Sequence, residues 1–370
     1  MRVASLFSGI GGFELGLEAQ DDLALINDID AAAQAVLAKR FPNVPFIEDV
    51  ANVSVTDLRD ADLLVAGFPC QDVSIVGGQK GLNGERTPLV KHVFRLAQQA
   101  RPDRLLLENV QSIRFVHGGR VLAHLMDEAE RLGYAWAYRT LDSHAFGLPQ
   151  RRRRFYFLAS RVDDPGEVLL SDPGKPVPKT RLDLGKPIGF YWTEGRAGHG
   201  LTEDALPPVK SGSAIGIASP PAVLMPDGAV VVPTIETAER LQGFPAGWTD
   251  AAPLRSRWRL VGNSVSPPVV RWLGERIKDP RPWQRVPSGI MSKDVGLPTA
   301  AWGDGKGNRR QVMVFEGPSV VEIGKLSQQK FDWSPISSRA LKGFVTRAKS
   351  SRLRYPSGFL EKLELALERL

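Results

Sequence analysis

Val3-Ala4-Ser5-Leu6-Phe7-Ser8-Gly9-Ile10-Gly11-Gly12 opens the chain with a short apolar run that stops at a cluster of glycines. Val3–Phe7 is predicted as a strand and Ser8–Gly12 as a turn, with a helix following through Phe13–Ala19. Glycines at such a turn let a ligand approach the backbone, and the next helix offers free N–H groups at its amino end. Leu23–Asn27 reads as a second strand, ending at Asp28 and Asp30. An acidic side chain about 20 residues after the glycine turn is placed to accept ribose hydroxyls. Taken alone, the pattern suits a nicotinamide cofactor, a flavin, S-adenosylmethionine, or a helix merely packed on a sheet.

The alternation continues outward. A helix over Ala31–Arg40 leads to Phe46-Ile47, a third strand, with Asp49 at its end as either a cap or an adenine contact. Asp62–Ala66 is a fourth strand, Pro88–Ala100 a helix, and Arg104–Val110 a fifth strand. A helix at about Arg120–Leu132 and strands at Ala135–Leu141 and Phe155–Ala159 complete the series. Strands alternating with helices predict an α/β fold with a doubly wound, mostly parallel sheet. Ligands of such sheets bind beyond the carboxyl ends of the strands.

Two residues at those ends stand out. Gly67-Phe68-Pro69-Cys70-Gln71 follows the fourth strand and holds the only cysteine in 370 residues. A lone cysteine is ordinarily a small inert hydrophobe. Here a proline precedes it, Asp72-Val73-Ser74 follows, and a glycine-rich Gly77–Thr87 loop suits a lid. A rigid mount followed by a mobile loop makes Cys70 a candidate nucleophile. Glu108 ends the apolar fifth strand, where a carboxylate is costly unless something needs it; the other reading is a cap for the next loop. Gln150-Arg151-Arg152-Arg153-Arg154 precedes the last strand. In a strand-like stretch Gln150, Arg152 and Arg154 share one face, predicted to point into the crevice with Cys70 and Glu108.

The length allows one large domain and smaller units. Residues 1–160 form the expected catalytic, cofactor-binding domain. Residues 161–233, rich in Pro, Gly and Ser, form a small irregular lobe of loops and short strands. Helical pattern returns over 234–279, which is expected to rejoin the catalytic domain, and 280–370 is a basic C-terminal extension ending in an amphipathic helix at Phe359–Leu370. Net charge is +7, but residues 271–370 hold 19 Lys+Arg against 10 Asp+Glu, leaving 29 against 31 in the rest. The basic excess therefore lies in the last hundred residues. One cysteine excludes an intramolecular disulfide and a cysteine-based zinc site, and no metal is expected. No apolar run reaches membrane-spanning length, and a strand beginning at Val3 leaves no room for a signal peptide.

Together these stretches resemble the DNA cytosine-5 methyltransferase family of prokaryotic restriction-modification systems. Leu6-Phe7-Ser8-Gly9-Ile10-Gly11-Gly12 resembles its first S-adenosylmethionine motif, Gly67–Gln71 its nucleophile motif, and Glu108-Asn109-Val110 its glutamate motif. Gln150-x-Arg152-x-Arg154 resembles its arginine motif, and Arg240-Leu-Gln-Gly-Phe-Pro245 and Gly262-Asn-Ser-Val265 its last two. The set occurs in the family's order over about residues 1–278. Asp28 stands where the family usually has glutamate, and Val73 where it often has an aromatic.

The resemblance implies S-adenosyl-L-methionine as cofactor, with Phe7, Ser8, Gly9, Gly11, Gly12, Asp28, Asp49, Asn263 and Ser264 around it. It implies catalytic Cys70, Glu108, Arg152 and Arg154, with substrate contacts at Pro69, Gln71, Ser74, Asn109 and Gln150. Cys70 would add to carbon 6 of a flipped cytosine, making carbon 5 nucleophilic. Arg154 would hold the base's carbonyl oxygen with Arg152 behind it, and Glu108 would share a proton with ring nitrogen 3. No side chain identifies itself as the base removing the carbon 5 proton. The implied partner is double-stranded DNA, with a cognate restriction endonuclease system; a cytoplasmic monomer is the expected state. An RNA cytosine-5 methyltransferase uses the same core and is the alternative. A nicotinamide oxidoreductase has no use for the cysteine, glutamate and arginine set, and an inactive DNA-binding module is expected to lack Cys70 or Glu108. The target sequence is not legible, because base readout belongs to unidentified side chains of residues 161–233.

Overall fold

The computed structural model of the 370-residue chain describes residues 1–19, 22–58, 60–69, 89–176, 182–194, 198, 200–210, 220–284, 289, 291, 297–320 and 323–370. In chain order the first elements are β1 (Val3–Leu6), α1 (Gly12–Leu17), β2 (Leu23–Asn27), α2 (Ala31–Arg40), β3 (Phe46–Ile47) and β4 (Leu63–Ala66). Next come α3 (Val90–Ala100), β5 (Arg104–Val110), α4 (Arg120–Arg131), β6 (Ala135–Asp142), β7 (Arg153–Ser160) and α5 (Pro165–Leu169). Short strands follow: β8 (Ile188–Phe190), β9 (Thr202–Glu203), β10 (Ala222–Leu224) and β11 (Val230–Pro233). The remainder is α6 (Ile235–Gln242), α7 (Leu254–Asn263), α8 (Pro267–Lys278), β12 (Ala300–Gly303), β13 (Arg309–Gln311), β14 (Trp333–Pro335), α9 (Ser338–Lys349) and α10 (Phe359–Glu368).

These elements sort into two units. Unit 1 comprises Met1–Leu141, Arg153–Pro176 and Pro267–Val320; unit 2 comprises Asp142–Arg152, Val177–Ser266 and Val321–Leu370. The expected lobe at 161–233 and the expected extension at 280–370 each contribute to both units, and 234–279 divides between Ser266 and Pro267.

Unit 1 is built on a nine-stranded sheet in the order β13-β12-β6-β7-β5-β4-β1-β2-β3. The run from β5 to β3 is parallel throughout. β7 joins β5 antiparallel, and β12 and β13 add antiparallel at the far edge. β1 and β4 are buried along their whole length, which is why they read as unbroken apolar runs: a parallel sheet covered on both faces has no polar side. The chain winds from β1 outward to β2 and β3, then returns to place β4 on the other side of β1. That reversal is the switch point, where neighbouring strand ends splay and leave a crevice.

Helices close against this sheet through small residues. A Cβ built on Gly16 of α1 would lie 2.5 Å from Val270 Cβ of α8, so the two helices touch backbone to side chain there. The core beyond β5 is aromatic: Trp136 stacks on Tyr138 at 6.0 Å and on Phe157 at 5.9 Å, and Tyr138 meets Phe155 at 5.2 Å. Phe155 and Phe157 alternate along β7 and so fill one face of the sheet, which frees Arg154 and Tyr156 to the other.

Unit 2 holds an antiparallel sheet in the order β14-β11-β10-β8-β9. Phe190 of β8 packs on Phe344 of α9 at 5.0 Å and on Phe359 of α10 at 5.5 Å. The short strands expected between 161 and 233 are β8 to β11, and the amphipathic helix expected at Phe359–Leu370 is α10.

Candidate active site

At the carboxyl end of β1 the backbone turns sharply: Phe7, Gly9 and Gly11 all take positive φ, at 55°, 59° and 82°. Phe7 has a side chain, so its conformation costs on the order of 1–3 kcal/mol and needs support. Support comes from the end of β2. Phe7 N donates to Asn27 Oδ1 at 3.2 Å, Ser8 N to the Asn27 carbonyl at 2.8 Å, and Gly9 N to Asp28 Oδ2 at 2.7 Å. Asn27 Nδ2 reaches onward to the carbonyls of Ile47 and Glu48 at 2.8 and 3.0 Å. One asparagine thus ties together the ends of three strands. A Cβ on Gly11 would strike the Phe41 ring at 2.4 Å, whereas one on Gly9 would project into open space. Gly11 is there for packing, and Gly9 leaves bare backbone accessible.

The two acids expected to serve the cofactor also serve the backbone. Asp28 accepts from Gly9 N through one oxygen and from Asp30 N at 2.9 Å through the other. Asp49 accepts from Ala51 N at 2.8 Å and caps the short turn Val50–Asn52.

Across the switch point, β4 delivers Gly67-Phe68-Pro69. A Cβ on Gly67 would stand 3.6 Å from Glu108 Oε2, 3.7 Å from the Phe13 ring and 3.9 Å from the Phe7 carbonyl. The glycine turn, the cysteine-bearing segment and the fifth-strand glutamate therefore meet at one edge of the sheet. Asn109, expected to touch substrate, places both ends of its amide on backbone: Nδ2 donates to the Phe68 carbonyl at 2.8 Å and Oδ1 accepts from Val110 N at 2.8 Å. It holds the residue two before Cys70. Cys70, Gln71 and Ser74, and the expected lid at Gly77–Thr87, lie outside the described residues; Pro69 is described and exposed.

Glu108 is 7% exposed and lies 3.1 Å from Arg154 Nε. The pairing register explains why. Glu108 stands opposite Tyr156 and Val110 opposite Arg154, so Glu108 and Arg154 are diagonal neighbours on one face.

The shared face expected for Gln150, Arg152 and Arg154 does not form. β7 begins only at Arg153, and strand alternation cannot extend to residues outside the strand. Gln150 and Arg152 are fully buried in unit 2. Gln150 Nε2 donates to the Leu241 carbonyl at 2.9 Å, and its Oε1 accepts from Val209 N at 2.8 Å. Arg152 donates to the carbonyls of Val209, Gly262 and Ser264 at 3.3, 3.0 and 2.7 Å. These two side chains bind the Gly262–Ser264 segment and its neighbours. In that segment Asn263 is exposed and Ser264 is buried, its hydroxyl donating to the Val261 carbonyl at 3.0 Å.

Two site residues escaped the sequence reading. Asn27 reads in the sequence as the last residue of a strand, and its neighbour Asp28 carries the acidic signal. Glu14, in the first turn of α1, is fully buried, and neither carboxyl oxygen has a hydrogen-bond partner. A glutamate in a glycine-turn helix gives no signal of burial.

Comparison with known proteins accords with this geometry. Residues 1–191 match the family described as C-5 cytosine-specific DNA methylase. The chain is 40% identical to the type II methyltransferase M2.BsuMI of Bacillus subtilis, over 100% of this chain and 99% of that protein. It is 30% identical to the type II methyltransferase M.HaeII of Haemophilus aegyptius, over 73% of this chain and 90% of the relative. The fold resembles the crystal structure of the S. pombe Dnmt2 methyltransferase, with a TM-score of 0.58 at 17% identity, covering 75% of this chain and 98% of that one.

Proposed function

The chain belongs to the C-5 cytosine-specific DNA methylase family, and we propose from this that its chemistry runs at the edge where Gly67, Glu108 and Arg154 meet. The enzyme is a DNA (cytosine-5-)-methyltransferase of the restriction-modification type. The observation that carries the residue assignment is the Glu108–Arg154 pair, 3.1 Å apart beside the segment that leads into Cys70.

S-adenosylmethionine would be held by the backbone of the glycine turn at Phe7–Gly9 and by Asp28, and would supply a methyl group on a sulfonium. Bare backbone at Gly9, the Phe7 turn and the Asp28 carboxylate form a cradle that suits it. Carbon 5 of cytosine is too weak a nucleophile by itself. Cys70 Sγ adds at carbon 6, and the electrons pushed into the ring are accepted as Glu108 shares a proton with nitrogen 3. Arg154 binds the base's carbonyl oxygen and keeps the Glu108 carboxyl oriented. Arg152 acts at one remove, by fixing the carbonyls of Gly262 and Ser264. After transfer the carbon 5 proton passes to water, its electron pair re-forms the carbon 5–carbon 6 double bond, and Cys70 leaves as thiolate. The substrate is double-stranded DNA, from which the target base must be flipped out to be reached, with residues 161–233 setting the sequence. A cytoplasmic monomer serving a cognate endonuclease system completes the reading.

Bisulfite sequencing of DNA from cells expressing the protein identifies the target. A duplex carrying 5-fluorocytosine there is expected to form a covalent adduct with wild type and none with Cys70→Ala. Glu108→Gln is expected to lower turnover by roughly 10²–10⁴ with little change in duplex affinity. A Cys70→Ala enzyme that methylates above trace rates would overturn the assignment.

A further inference from the structure

We propose that α9 and the loop after it form a surface that binds the phosphates of duplex DNA regardless of sequence, a second contact region in the enzyme identified above. Between Asp332 and Glu361 the chain carries six Lys+Arg and no Asp or Glu. α9 turns this bias into a surface. Its buried positions, Leu341, Phe344, Val345 and Ala348, pack into the core of unit 2. Arg339, Lys342 and Lys349, at i, i+3 and i+10, fall outside that buried stripe. All three are exposed, as are Arg352 and Arg354 beyond the helix.

Two of the six cations are used by the protein itself. Arg347 donates to the carbonyls of Trp192 and Glu194 at 2.7 and 3.0 Å, and Lys349 pairs with Glu364. Arg339, Lys342, Arg352 and Arg354 enter no ion pair with a carboxylate among the described residues. A solvated face on a stable helix is usually laced with both signs of charge; this one carries a single sign. Arg339 and Lys342 stand three residues apart, about 4.5 Å along the axis at 1.5 Å per residue, close to the 3.4 Å spacing of successive charges along one strand of a duplex.

A hollow of about 360 Å³ opens beside this surface, lined by Lys349, Ser351, Leu353, Tyr355, Ser357 and Glu361. The Glu361 carboxylate excludes it as a phosphate pocket, and the contact is assigned to the exposed cations alone.

The inference rests on the enzyme acting on duplex DNA, and the two fail separately. In the full-length protein Arg339, Lys342, Arg352 and Arg354 are replaced by alanine, and affinity is measured across a salt series for duplexes with and without the target. Each phosphate contact contributes about −0.9 to the slope of log affinity against log salt. The expected result is a slope flattened by up to about 3.6, so that between 50 and 200 mM salt wild type loses roughly 10²-fold more affinity than the variant. Both duplexes should weaken alike, and methylation at saturating DNA should keep its rate. A variant with Lys at the three arginine positions should retain the slope. An unchanged slope overturns the proposal, as does a loss confined to the target duplex, which would mean base readout. A normal slope in duplex binding with altered capture of an acidic protein also overturns it, in favour of a protein partner. If wild type methylates no duplex at all, the enzyme assignment falls while the binding measurement still stands.

Discussion

A carboxyl group fully out of water with no hydrogen-bond partner cannot hold a charge cheaply, and Glu14 is in that position beneath the glycine turn. Burial raises its pKa above the ordinary 4.5, outweighing what the nearby Ser5 and Ser8 hydroxyls give back. Burial therefore favours the protonated form in the folded state. The sign follows from linkage: with the folded pKa above the unfolded one, the contribution is fully present below about 4.5 and is lost as pH rises through the folded value. Glu14→Gln keeps the shape and removes the titration. The variant should melt near wild type at pH 4.5 and progressively above it as the pH is raised to 8. A difference in melting temperature that is flat across that range would show that Glu14 does not titrate on unfolding. Arg152 illustrates the converse case, a buried charge whose guanidinium is taken up by three carbonyls, and it owes its place to holding Gly262 and Ser264.

Helix α1 shows how packing constrains an element that local preference would write otherwise. Gly16 sits in its interior, where alanine would be favoured by roughly 1 kcal/mol. Against this, a Cβ there would stand 2.5 Å from Val270 Cβ and 2.8 Å from the Pro267 carbonyl, and overpacking of that kind costs typically 1–3 kcal/mol. Gly16→Ala should therefore lower the melting temperature, and Val270→Gly in the same chain, which removes the Cβ at 2.5 Å and the Cγ1 at 2.7 Å, should make the two changes non-additive. Additive losses would mean that α1 and α8 do not contact at this point. The same elements show what the sequence makes legible. β1, β4 and β5 announce themselves because both faces are buried, and the apolar run of β5 stops at Glu108, although the strand itself continues to Val110. The turn at Ser8–Gly12 is written in its glycines. Gln150 and Arg152 are expected on one face with Arg154 and are not found there, because alternation holds only within a strand and the residue where β7 begins has no mark of its own. The double use of Asn109, on Phe68 and Val110, is likewise a matter of neighbours 41 residues apart.

At the scale of the whole chain, the basic excess after residue 271 suggests an appendage, but many of the described residues beyond 297 are built into the two units. β12 lies against β6, pairing Ala300 with Arg139 and Gly303 with Trp136, and β13 extends the edge. Arg139, buried, donates to the carbonyls of Leu169, Asp172, Phe315 and Gly317, with the Leu169 contact at 2.8 Å, and so fastens the stretch after β13 within unit 1. In unit 2, among the described residues, eight of the thirteen buried members of the core around Phe190 come from beyond residue 321: Ile336, Leu341, Phe344, Val345, Ala348, Phe359, Leu363 and Ala366. Charge on the outside of α9 and apolar residues on its inside are thus separate properties of one helix. A large buried apolar side chain contributes on the order of 1.5–3 kcal/mol, so losing several of them exceeds the 5–15 kcal/mol by which a domain is stable. A chain ended at Val320 should therefore lose the cooperative unfolding of unit 2 and bind a hydrophobic dye through the uncovered faces of Ile188, Phe190, Ala222 and Leu224. The four-alanine surface variant, by contrast, should melt as wild type does. Calorimetry on both chains separates the two roles, and a truncated chain that retains the full unfolding enthalpy would show that the core of unit 2 stands without α9 and α10.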